Sequence, residues 1–182
     1  TADTDESGRY RFDNLLPGTY RVVETQPSGL FSVGARAGTV DGATRGQVTT
    51  VDIVSGVNLL GGNNSVGNDF AEAEPAKLSG WVFADDDNDG HRDDAEAGIG
   101  GVTVRVIAVD SGAVREVQTA STGYRFAANL APGNYRVEEV QPAAYLDGQD
   151  EAGSAGGTAH NPGDLIDVIR LGGGPTGRPT HF

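Results

Sequence analysis

The chain of 182 residues has no cysteine, no methionine and one lysine, Lys77. The lack of cysteine excludes disulfide bonds, thiol catalysis and thiolate metal sites. No apolar run approaches the roughly 18 residues that a membrane-spanning helix needs, so we expect no membrane insertion in this segment. No charged-then-apolar leader opens the chain, and we expect any secretion signal to lie outside it.

Glycine is the commonest residue, with 28 copies, and apolar residues make up 37 % of the chain. Met is absent, Lys occurs once and leucine is sparse, whereas Val, Thr and Tyr supply much of the apolar and half-apolar composition, which favours an all-β fold with short strands and many turns. The net charge is −13. Nucleic acid and anionic membrane surfaces are therefore excluded as expected partners.

About half of the negative charge lies in one segment, residues 85–96, where seven acids and Arg92 give −6. Acids stand at positions 1, 3, 5, 9 and 12 of this segment and Gly90 stands at position 6. This spacing is typical of a loop that wraps oxygen ligands around Ca²⁺, with the glycine allowing the positive φ of the turn. The expected ligands are Asp85, Asp87, Asp89, His91 through its backbone carbonyl, Asp93 and Glu96.

Two other structures are conceivable for this loop. A solvated acidic turn is the first, but seven acids in twelve residues repel one another unless a counterion is bound. A helix–loop–helix unit is the second, but the segment 81–83 before the loop is strand-like and the glycines of 98–101 break helices. We therefore predict an EF-hand-like set of ligands mounted between strands, and Ca²⁺ rather than Mg²⁺ as the ion.

The chain contains an internal repeat. Residues 8–29 match 123–144 at an offset of 115, and residues 52–59 match 164–171. Tyr-Arg-Phe is slipped by one residue between the copies, which indicates a bulge or an adjusted turn. We predict an incomplete first repeat without a Ca²⁺ loop (1–70), a linker (71–76) and a nearly complete second repeat (77–182), and leave open whether the first part folds alone.

Strands of the second copy are predicted at 78–84, 102–106, 113–119, 124–130, 134–140 and 165–171. Six or seven short strands without an amphipathic helix favour a two-sheet sandwich. The motif Leu-x-Pro-Gly-x-Tyr, which ends at Tyr20 and at Tyr135, predicts a corner in which the tyrosine hydroxyl bonds back to nearby backbone.

Residues 85–96, together with Gly98-Ile99-Gly100-Gly101-Val102-Thr103-Val104, resemble the opening of SdrD B-like repeats. Residues 130–142 and 145–148 resemble the later half of those repeats. These are Cna-B-related modules of bacterial surface proteins. The resemblance implies tandem immunoglobulin-like or prealbumin-like β-sandwich repeats, the first one incomplete. It also implies Ca²⁺ binding and a stalk role at the cell surface beside adjacent repeats of the same polypeptide.

The resemblance raises two further points. Some relatives carry several Ca²⁺ ions per repeat, and Asp147 and Asp150 are either part of a second site or a plain polar turn. Related Cna-B modules form a Lys–Asn isopeptide bond assisted by a glutamate, which corresponds here to Glu24 and Glu139. Because Lys77 lies about seven residues ahead of the reactive position, near which Phe83 stands, we expect no isopeptide bond.

No pattern of catalytic residues is present, and the three histidines lack zinc-site spacing. We therefore expect a non-enzymatic calcium-binding spacer of a large secreted or cell-surface bacterial protein. The alternative is an adhesin module that binds extracellular protein or carbohydrate, for which an exposed aromatic row with Trp81 or Tyr145 is the mark. Trp81 is expected in the core rather than on such a surface.

Overall fold

The computed structural model describes residues 1–172 and 180–181, and for 124–129 and 180–181 it describes the backbone alone. Every regular element of these residues is a β-strand, which confirms the all-β prediction. The chain divides into two compact units, unit 1 with 1–27 and 32–72, and unit 2 with 28–31 and 73–182. The described part holds no helix of the length and apolar character that a membrane span requires.

Eight strands precede residue 74. They are β1 (Gly18–Val23), β2 (Phe31–Arg36), β3 (Thr39–Val40), β4 (Ala43–Thr44), β5 (Gln47–Thr50), β6 (Ile53–Leu59), β7 (Ser65–Val66) and β8 (Asp69–Ala73). They form the sheets β1-β6-β5, β4-β3-β7 and β2-β8. The buried apolar side chains of residues 1–72 are Val40, Val54 and Val57. Unit 1 therefore has a thin core.

Eight strands follow among the described residues after 74. They are β9 (Ala76–Trp81), β10 (Thr103–Ala108), β11 (Val114–Gln118), β12 (Tyr124–Leu130), β13 (Gly133–Glu139), β14 (Thr158–His160), β15 (Leu165–Leu171) and β16 (Thr180–His181). Sheet β11-β10-β13-β15-β14 and sheet β12-β9-β16 supply one shared apolar core. Val104, Val137 and Ile166 come from the first sheet, and Leu78 and Leu130 from the second. Two sheets that share a core are a β-sandwich, as predicted.

Two of the predicted strands have the bounds that the structure shows. β12 and β15 have the predicted ends, whereas the strand predicted at 78–84 ends at Trp81 and continues as an isolated bridge from Phe83 to Gly98. β14 was not predicted. Only Glu74 and Pro75 of the predicted linker 71–76 lie outside strands, and the assignment of 1–70, 71–76 and 77–182 stays a prediction. The end of the second repeat, at 173–179 and 182, lies outside the described residues.

The repeat has the same strand register in both copies. Tyr20 opposes Val57 in β1 and β6, and Tyr135 opposes Ile169 in β13 and β15. In each pair the register then shifts, because two residues of the longer strand oppose one residue of its partner, which is a β-bulge. The bulge residue with positive φ is Gly56 in β6.

The tyrosine corner is present in both copies. The hydroxyl of Tyr20 donates a hydrogen bond to the carbonyl of Leu16, and that of Tyr135 donates to the carbonyl of Ala131 at 2.7 Å. Both bonds span four residues, as the motif predicts. Tyr135 is buried, and a buried tyrosine hydroxyl needs a hydrogen-bond partner, which the carbonyl of Ala131 supplies.

Candidate metal centre

The acidic loop is closed at its neck by extended backbone rather than by helices. The N–H of Ile99 donates to the carbonyl of Val82 at 2.8 Å, and the N–H of Ala84 donates to the carbonyl of Ala97 at 3.0 Å. These bonds hold both ends of residues 85–96 together directly after β9. The predicted mounting of the loop between strand segments agrees with this arrangement.

Three of the predicted ligands converge. Asp85, Asp87 and Asp89 each offer a carboxylate oxygen, and these three atoms lie within 4.8 Å of one another. Ca²⁺–oxygen distances of about 2.3–2.6 Å place ligand atoms on opposite sides of the ion about 5 Å apart. The three carboxylates therefore suit a calcium ion in both spacing and chemistry.

Backbone N–H groups shape the loop around Asp85. The N–H of Gly90 donates to Asp85 Oδ2 at 2.9 Å, and the N–H of Asp89 donates to Asp85 Oδ1 at 3.2 Å. Gly90 has a φ of 78° and Asn88 a φ of 59°, so the chain turns back through two left-handed residues. Glycine and asparagine are the residues that adopt this conformation at the lowest cost.

Glu96 has a different environment from these three acids. It is only 5 % exposed, and its two carboxylate oxygens accept from the N–H groups of Asp86 and Asp93, each at 2.9 Å. Neither Glu96 nor Asp93 belongs to the group of acids within 4.8 Å. The side chain of Glu96 thus closes the loop by accepting hydrogen bonds from the backbone N–H groups of two loop residues. The metal-ligand roles assigned to Asp93, Glu96 and the His91 carbonyl stay predictions.

Two residues that lie far from the loop in sequence contact it through their side chains. The sequence pattern did not predict these contacts. Gln149 donates from Nε2 to the carbonyl of Asn88 at 2.6 Å. Glu151 pairs with Nδ1 of His91 at 2.9 Å, and this contact raises the pKa of the His91 imidazole. The imidazole therefore faces Glu151.

The acids of the loop repel one another, and this repulsion raises the pKa of Asp87. The negative charge of Asp89 is the main cause that raises the pKa of Asp87, with smaller contributions from the partial desolvation of Asp87, from Asp85 and from Glu96. The one cation of the segment, Arg92, stacks its guanidinium 4.1 Å from the ring centre of Trp81 and donates to the backbone carbonyl of Glu96. A bound cation would relieve this repulsion.

Other predicted residues have these positions. Lys77 is exposed on β9, while Phe83 is buried. Asp150 is buried and Asp147 is exposed. A second group of acids, which the sequence analysis did not single out as a site, consists of Glu24, Asp52 and Glu72. The repeat itself held a signal, because acids occupy matching positions in both copies, Glu24 with Glu139 and Asp52 with Asp164.

Two packed sheets, a strand pair repeated with the same bulge and an acidic loop at the sheet edge define a β-sandwich repeat domain. Residues 76–165 match the SdrD B-like domain, and this part of the chain belongs to that family.

Two relatives show how far the similarity extends. Serine-aspartate repeat-containing protein D of Staphylococcus aureus is 29 % identical over 171 residues, which cover 93 % of the chain and 13 % of that protein. Serine-aspartate repeat-containing protein C of Staphylococcus aureus is 33 % identical over 141 residues, which cover 77 % of the chain and 14 % of that protein. The chain thus spans a small part of the length of either relative.

Proposed function

We propose that the chain is a calcium-binding spacer of a large bacterial cell-surface protein, and not an enzyme. The observation that carries the proposal is the convergence of Asp85, Asp87 and Asp89 to within 4.8 Å in a loop closed between strand segments. Membership of the SdrD B-like family over 76–165 supports the spacer role, in which the neighbours are adjacent repeats of the same polypeptide.

The function follows from linkage between ion binding and folding. An ion that binds only the folded loop stabilises the fold by about 2.7 kcal/mol when free Ca²⁺ is a hundredfold above Kd. This is a large share of the roughly 5–15 kcal/mol by which a domain is stable. Extracellular calcium would therefore keep the repeat folded and stiff, and the loop would soften where calcium is scarce.

The adhesin alternative receives less support from the surface. A ligand-binding aromatic row needs exposed rings side by side, but Arg92 covers Trp81. Tyr145 is 46 % exposed, and its exposed neighbour is the aliphatic Leu146. Capture of extracellular protein or carbohydrate by this segment stays a prediction.

Thermal unfolding of the full chain in CaCl₂ and in EDTA tests the proposal. We expect EDTA to lower the Tm of the parent chain, and Asp87→Asn to remove most of the difference between the two buffers. Asp94→Asn is the matched control, since it changes the same charge at an exposed position of the same loop outside the predicted ligand set. Equal Tm values of the parent chain in both buffers would refute the proposal.

A further inference from the structure

Residues 10–15 of unit 1 form an unpaired length of backbone. In the internal repeat they correspond to residues 124–130 of unit 2, which form β12 and pair antiparallel with β9, with Leu130 opposite Ala76. In unit 1, residues 10–15 lie outside every described strand, and no backbone–backbone hydrogen bond of the described residues involves them. Their N–H and C=O groups are therefore available to another strand.

Two apolar side chains of this segment are exposed. Phe12 is 43 % exposed and Leu15 is 45 % exposed. Leu130, which matches Leu15 in the repeat, is only 2 % exposed, because it packs in one core with Ala76 and Leu78 of β9. The same residue type at the same repeat position is thus buried where β9 lies beside it, and half exposed where no such strand is described. Covering these side chains with a strand removes apolar surface from water, which is favourable.

The segment is held in position without a strand partner. The hydroxyl of Tyr10 donates to the carbonyl of Asn68 at 2.5 Å, directly before β8. The ring of Tyr10 packs edge-on against Phe12 with 5.8 Å between the ring centres, and it lies 6.5 Å from the ring of Phe70 in β8. A segment fixed in this way loses less conformational freedom when a strand pairs with it, which favours binding.

The described strands already have other partners. β9 pairs with β12 on one side and with β16 on the other. The strands of unit 1 pair among themselves in the sheets β1-β6-β5, β4-β3-β7 and β2-β8, and none of them pairs with residues 10–15. A strand that covers residues 10–15 as β9 covers β12 therefore comes from none of these strands.

We propose that residues 10–15 are a docking edge for a β-strand of a separate SdrD B-like repeat. The incoming strand pairs antiparallel in the register that β9 has with β12, and it places a small residue opposite Leu15, as Ala76 stands opposite Leu130. Its chemistry is that of β9, in which buried small or apolar residues alternate with more exposed ones. Main-chain hydrogen bonds supply the affinity, and the side chains that cover Phe12 and Leu15 supply the specificity. This pairing joins unit 1 to another repeat without using the calcium loop.

Binding of a fluorescent synthetic peptide with the sequence of residues 75–83 to the full chain tests the proposal. We expect saturable binding in anisotropy titrations and slower hydrogen exchange of the amides of residues 10–15 in the complex. The same peptide with Leu78→Asp is the matched control and should bind at least about tenfold more weakly, because it places a charge on the apolar face. Amides of residues 10–15 that exchange equally fast with and without saturating peptide would overturn the proposal, as would protection confined to other segments.

Variants of the chain locate the edge. Leu15→Asp should weaken peptide binding at least about tenfold, whereas Leu146→Asp, at a residue of unit 2 that is 96 % exposed, should leave it unchanged. Asp87→Asn should bind the peptide as the parent does, so failure of the calcium proposal and failure of this one give different results. Self-association of the parent chain in sedimentation experiments, if Leu15→Asp abolishes it, would assign the edge to a second copy of the chain and overturn the proposed occupant.

Discussion

Glu96 gives the sharpest test of how the loop is held together. Its carboxylate is 5 % exposed and accepts two backbone N–H groups, those of Asp86 and Asp93. In Glu96→Gln one oxygen becomes an NH₂ group that faces a backbone N–H, so one hydrogen bond to a charged acceptor is lost and two donors oppose each other. A hydrogen bond to a charged group contributes about 1.5–3 kcal/mol, and we expect a loss of about 2–3 kcal/mol.

The assay is thermal unfolding in EDTA, so that metal binding plays no part. A loss of this size lowers the Tm of a domain of this length by about 10 °C. Asp94→Asn, an exposed change in the same loop, should have the same Tm as the parent chain. If Glu96→Gln also has the Tm of the parent chain in EDTA, then the hydrogen bonds from the Glu96 carboxylate to backbone N–H groups do not stabilise the loop. A role as metal ligand then explains the burial of Glu96 better.

Two further predictions concern unit 2. Val168, a β-branched residue with a φ of 56°, is 54 % exposed, and we expect Val168→Asn to raise the free energy of unfolding by about 1 kcal/mol in urea titrations because Asn tolerates this conformation better. Val→Asn at the similarly exposed strand residue Val114 should destabilise instead, and the same sign at both positions would contradict the reasoning. The pKa values of Glu139 and Asp150, raised to about 7, mean that the folded chain keeps protons that the unfolded chain releases above about pH 4–5. In EDTA the stability should therefore fall from pH 5.5 to pH 8, by on the order of 2 kcal/mol after screening and coupling are allowed for. Glu139→Gln should flatten this slope in melts across that range, whereas Glu138→Gln should leave it, and equal slopes would count against the buried acids.

The sequence predicted those parts of the fold that depend on local patterns. The predicted bounds of β12 and β15 agree with the structure, and the Leu-x-Pro-Gly-x-Tyr motif predicted the hydrogen bond of Tyr135. β14 escaped prediction because three residues with one apolar side chain carry no period. Tyr10 and Phe12 match residues of β12 in the repeat but lie outside a strand. In unit 2, β12 pairs with β9, whereas no described strand of unit 1 offers residues 10–12 an equivalent partner.

The loop was predictable for the same reason, because its ligand spacing is contained in twelve consecutive residues. The sequence pattern did not predict that the Glu96 side chain accepts from backbone N–H groups. It also did not predict the contacts of Gln149 and Glu151 with the loop, which depend on how distant segments fold onto it. The acids Glu24 and Asp52 were visible only as separate residues. The strand register that brings them together lies beyond any local pattern.

We propose that the carboxylates of Asp85, Asp87 and Asp89, which converge to within 4.8 Å, bind one calcium ion. Titration of the chelator-treated full chain with CaCl₂, compared with the same titration of Asp87→Asn and Asp94→Asn, measures this most directly. We expect one bound ion fewer for Asp87→Asn and an unchanged count for Asp94→Asn. A count that is the same for all three proteins would contradict it.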